Sequence, residues 1–105
     1  MPDAEDYSDR MAELQKMRVA LVILTSQETS KLLSRRQRVA GKEIEVMCAE
    51  RDLAAGSNVD RTLLDALGRE DAALRQALHE SEQDIARLEG LMARVNADIA
   101  ALCQA

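Results

Sequence analysis

The chain has 105 residues, room for one domain, and a net charge of −5. Phe and Trp are absent, Tyr7 is the only aromatic and Pro2 the only proline, so the aromatic walls and turn-rich loops of most cofactor pockets are missing. With 47% hydrophobic and 31% charged residues the composition is that of long helices or coiled coils, and its acidity disfavours nucleic acid or an anionic membrane as partner.

Residues 1–8 are acidic and are expected to fray, with Ser8 capping a helix that starts at Asp9. Met11, Leu14, Met17, Leu21 and Leu24 follow at helical spacing. The run Val19 to Leu24 is too short to cross a bilayer, and the residues before it are acidic where a signal peptide carries positive charge. A soluble, cytoplasmic chain is expected. A helix that is apolar on every face demands cover on more than one side. A third helix, a second copy or a partner must supply it.

From Thr25 to Ser30 the sequence is polar but contains no helix breaker. Leu32, Val39, Val46 and Leu53 then recur every seven residues, with Leu33, Ala40, Met47 and Ala49 beside them. This predicts a helical arm over 9–55, either as one helix or with a bend at Ser34 or Gly41. Met47 reads as core filling. Lys31, Arg35, Arg36, Arg38 and Lys42 lie between Thr29 and Lys42 without an acid. With no aromatics for stacking, they read as a solvated face, or as pairing between arms or copies, before they read as a nucleic-acid site.

Ala54-Ala55-Gly56 predicts a helix end with a left-handed glycine cap. Ser57 and Asp60 have capping-box spacing, and Asn58 or Asp60 could cap instead. A turn this short (56–60) makes the second arm, 61–103, antiparallel to the first. Along that arm strides of three and four visit Leu64, Leu67, Asp71, Leu74, Leu78, Ser81, Ile85, Leu88, Met92, Val95, Ile99 and Leu102. All but Asp71 and Ser81 are apolar, which predicts a coiled-coil seam that another helix covers. A buried polar residue fixes register at a cost in stability, and Asp71 and Ser81 could do that or mark exposed helix. Gly90 lies off the seam and could admit a close neighbour.

The constellations of chemistry are empty. His79 has Gln76 three residues before it, not the Glu of a di-iron bundle, and reads as a surface histidine. Cys48 and Cys103 form no metal spacing and read as small, buried or half-buried side chains in a reducing compartment. No nucleophile–base pair, ligand cluster or phosphate loop can be assembled, so neither an enzyme nor a metal or other cofactor is expected.

The last apolar cluster is denser. Leu88, Leu91, Met92, Val95, Ile99 and Leu102 crowd the end of the second arm, and a hairpin sets them against the apolar belt at 19–24. Two such surfaces exceed what one helix pair hides, so self-association or an amphipathic partner helix is expected there. Methionines such as Met17 and Met92 suit a surface that repacks around a partner.

The segment LVILTSQETSKLL (Leu21 to Leu33), with Glu28-Thr29 ahead of a leucine pair, is similar to the first helix of FlgN-type flagellar export chaperones. LRQALHESEQDIARLEGLMARVNADI (Leu74 to Ile99) is similar to their last. The resemblance is one of pattern and composition over about 70 residues. It implies an all-helical bacterial cytosolic protein of type III secretion and flagellum biogenesis. Its C-terminal helix would hold the terminal helix of an exported substrate, and Leu88, Met92, Val95, Ile99 and Leu102 would inherit that role. The basic stretch 34–45 and the short length depart from the family.

The sequence thus predicts an all-α fold: a long antiparallel helical hairpin or coiled coil, bent into three helices if Ser34 or Gly41 breaks the first arm. The expected function is that of an export chaperone. The alternative is a structural adaptor or stalk whose seam serves self-association alone.

Overall fold

The structure, a computed structural model, describes residues 4–56 and 60–104. Two helices hold nearly all of them, α1 (Ala4–Ala54) and α2 (Arg61–Gln104), packed as an antiparallel hairpin. The fold class is therefore all-α, as the seam predicts.

The first arm departs from expectation at its start. The helix already includes Ala4–Ser8, so Ser8 is interior rather than a cap. Glu5 and Asp6 occupy the first turn, where negative charge meets the positive end of the helix dipole. Tyr7 adds a tertiary reason, because its phenol lies beside the Cys103 thiol near the end of α2. That neighbour, followed by loss of hydration, pushes the phenol above its usual pKa range.

Neither Ser34 nor Gly41 breaks α1, so the three-helix alternative is corrected to two. A mid-helix glycine costs about 1 kcal/mol against alanine. Here Leu32 and Val39, buried on the turns before it, hold the helix in place. The end of α1 follows the sequence. Ala55 N donates to Arg51 O at 3.0 Å, Gly56 N to Leu53 O at 3.1 Å, and Gly56 takes φ of +80°. At the start of α2 the cap is Asp60, whose Oδ1 accepts from Thr62 N at 2.9 Å. Ser57 and Asn58, the other candidates, lie outside the described residues.

Contacts divide the chain into two compact units, each made of one stretch from either helix. Unit 1 comprises residues up to Thr29 together with Gln83 onward, and unit 2 is Ser30–Glu82. In unit 1, Leu14, Leu21, Leu88 and Val95 are buried; Met92 and Ile99 pack against Leu21, Leu88 and Val95. In unit 2 the buried residues are Leu32, Val39 and Ser81, with Val46, Leu64, Leu67, Leu74 and Leu78 half-buried. Every α2 position visited by the strides of three and four, from Leu64 to Leu102, is buried or half-buried.

Candidate partner-binding site

The basic stretch of α1 does not form one surface. Arg35 lies on the seam of unit 2, at the three-residue step after Leu32. Its Nη1 donates to Ala77 O at 2.8 Å and to Ser81 Oγ at 2.5 Å. Ser81 is fully buried, and the guanidinium is its partner across the hairpin. Lys42, the next such step after Val39, donates from Nζ to Glu70 at 2.7 Å and Glu45 at 3.0 Å. Those bonds, Glu70 first, hold its ammonium above the ordinary lysine range. Arg36 and Arg38 are exposed. Arg35 and Lys42 are thus used between the arms, in keeping with the pairing reading.

Asp71 also takes its seam position, half-buried. Its Oδ2 accepts from Arg75 Nε at 2.9 Å, but Oδ1 is buried with no hydrogen-bond partner. An unsatisfied carboxylate oxygen is a cost that the fold carries at this point.

Unit 1 is the apolar region. Of the residues expected to hold a partner, Leu88 and Val95 are buried in its core, and Met92, Ile99 and Leu102 are half-buried along the same seam. The structure brings all five to one stripe, and that stripe faces α1. What is left uncovered lies beside it. Met17, Val19, Val22, Ile23, Leu24 and Leu91 are all exposed, with Val19 at 59%. Only Leu21 of the 19–24 run is buried, as a helix apolar on every face dictates when one neighbour covers it.

Met17 and Leu91 border one groove, and Val22 borders another. The first, of about 450 Å³, is walled by Met17, Ala20, Leu21, Leu91 and Val95, with Arg94 and Asp98 on its lining. On the other side Val22, Thr25, Ser26, Met92, Ala93 and Asn96 form a second, with Glu89. The first has five apolar residues on its lining, and its two charges are of opposite sign.

The remaining candidates are structurally ordinary. His79 is exposed, and no group of His, Cys, Asp and Glu among the described residues could hold a metal. Cys48 and Cys103 are free thiols and both are exposed, which corrects the expectation of burial. Met47, expected in the core, is 61% exposed. A Cβ at Gly90 would meet nothing within 4 Å among the described residues. Among the described residues no helix is long and apolar enough to cross a membrane.

No family model matches the chain, and neither a curated protein nor a solved structure is found to be similar to it.

Proposed function

We propose that the protein binds other proteins, using the apolar groove of unit 1 to hold an amphipathic helix of its partner. The observation that carries this reading is the exposure of Met17 and Leu91 on the lining of one groove, next to a core of Leu21, Leu88 and Val95 that does not include them. Contiguous apolar side chains left in water at one place on a small protein mark an interaction surface. A groove between helices, bordered by a methionine and two leucines, suits the helix-in-groove mode of recognition. The resemblance to FlgN-type export chaperones supplies the class of partner, an exported or flagellar protein with an amphipathic terminal helix that would otherwise aggregate.

The inner stripe of Leu88, Met92, Val95, Ile99 and Leu102 then acts through the outer one. It fixes α2 against α1 and so presents Leu91 beside Met17. The test is capture from the native lysate with identification of the bound protein. The wild type is expected to retain an exported protein with such a terminal helix, and Leu91→Glu to remain helical while losing it. Undiminished capture by Leu91→Glu, or the absence of any exported protein from the wild-type complex, overturns the reading.

A further inference from the structure

Within unit 2, α1 carries a second stripe of three-and-four spacing on the side away from its partner. It runs Ser30, Leu33, Gln37, Ala40, Ile44, Met47 and Arg51, and every member is exposed. Its centre lies roughly 150° round the helix from the Leu32, Arg35, Val39, Lys42 and Val46 seam, at 3.6 residues per turn. Leu33 is 53%, Ile44 62% and Met47 61% exposed. The stripe has no charge from Ser30 to Met47.

One flank of the stripe is made of small residues at heptad intervals, Ser34, Gly41 and Cys48. A Cβ at Gly41 would meet nothing within 4 Å. The other flank carries Arg36 and Glu43, again seven apart. Arg36 has no hydrogen bond or ion pair among the described residues. Glu43 has only the exposed Arg75, at 3.7 Å.

We propose that this face pairs with the same face of a second copy, the two α1 helices running antiparallel. Seated with Leu33 against Ile44 of the other copy, the stripe also sets Gln37 against Ala40 and Ser30 against Met47. Each contact occurs twice about the two-fold axis. Knobs from one stripe meet holes of the other, since an antiparallel pair matches the two stripe positions crosswise. The same register brings Arg36 of each copy within reach of Glu43 of the other, giving two ion pairs on one flank. On the opposite flank Ser34 and Gly41 let the backbones approach. A parallel pair would set Arg36 against Gly41 and Glu43 against Cys48 of the other copy and lose both ion pairs, so the charges choose the direction. A second copy is thus the occupant whose charge order the stripe already matches.

Sedimentation of the full chain over a range of concentrations tests this. A dimer is expected, and Ile44→Glu should weaken it at least 100-fold. Arg36→Glu should weaken it about tenfold, and Arg36→Glu with Glu43→Arg should restore it, which keeps the test decisive even if Ile44→Glu misfolds. Register is read by cysteines placed in a Cys48→Ser, Cys103→Ser chain. Leu33→Cys mixed with Ile44→Cys should give disulfide-linked dimers, and neither alone should. A chain that stays monomeric overturns the proposal and leaves the stripe to a different protein. So do cross-links between like cysteines, or a dimer indifferent to the charge swap. Leu91→Glu should leave the dimer intact and Ile44→Glu should leave partner capture intact, so failure here is distinguishable from failure of the groove in unit 1.

Discussion

The two units use one architecture with opposite chemistry. In unit 1 the helices meet through Leu14, Leu21, Leu88 and Val95. In unit 2 apolar positions alternate with Arg35, Lys42, Asp71 and Ser81, each of which needs a specific partner. Apolar contact is strong and tolerant of sliding, whereas hydrogen-bonded contact is weaker net but fixes geometry. The difference teaches that stability and alignment can be assigned to separate stretches of the same hairpin. Under the proposed function, a partner held on the exposed apolar surface of unit 1 would leave the polar contacts of unit 2 untouched.

The largest effect should come from the core of unit 1. Leu88→Ala is expected to cost about 2–5 kcal/mol in urea unfolding, a large share of what a chain this size possesses. A loss well under 1 kcal/mol would mean that unit 1 is not where the stability lies. In unit 2, Arg35→Ala strands the buried Ser81 hydroxyl and should cost about 1–3 kcal/mol. The pair Arg35→Leu with Ser81→Ala should recover most of that. A double-mutant cycle with no coupling would break the contrast, because the polar contact would then be incidental.

Asp71→Leu should act in the opposite direction. It removes the orphaned oxygen and extends the apolar seam, at the loss of an exposed pair with Arg75, so about 1 kcal/mol of stabilisation is expected. Destabilisation would show that the carboxylate has a use that the free chain does not reveal.

The smallest effects lie at alkaline pH. Tyr7 and Lys42 both titrate higher in the folded chain than in the unfolded one. The folded state therefore binds more protons, and the stability each group gives is complete below its unfolded pKa, near 10 for both. It is lost as pH rises through the higher folded value. Tyr7 can be followed alone, since the chain has no other tyrosine and no tryptophan. Its phenolate absorbance should rise late in the wild type and earlier in Cys103→Ala. Identical curves would remove the Tyr7–Cys103 contact.

Much of this was legible beforehand. The strides from Leu64 to Leu102 name the buried face of α2, including the two polar members, because a heptad seam leaves little freedom of phase. The uncovered belt at 19–24 followed from its being apolar all round. The seam of α1 in unit 2 was harder to read. Only Leu32, Val39 and Val46 are apolar there, and the positions between them are Arg35 and Lys42, whose long stems bury while their charges find partners. Composition made those side chains part of a basic stretch, although their spacing from Leu32 and Val39 was the available signal. Exposure of Met47 was missed for a related reason: helical spacing places it on a stripe, but a second stripe looks like core until its cover is known.

The grip of Arg35 on Ala77 and Ser81 has a consequence for how such a hairpin can change length. A guanidinium fits over Ser81, whereas seven residues earlier or later it would meet Leu74 or Leu88. Residues added between Gly56 and Asp60 leave that grip untouched, because the turn absorbs them. Seven residues inserted into α1 alone, after Val46, keep the heptad phase. The grip then survives if they take over the seam places of residues 47–53 and the displaced residues pass to the connection. An insertion that is not a whole heptad rotates the seam between Arg35 and the connection and should be rejected.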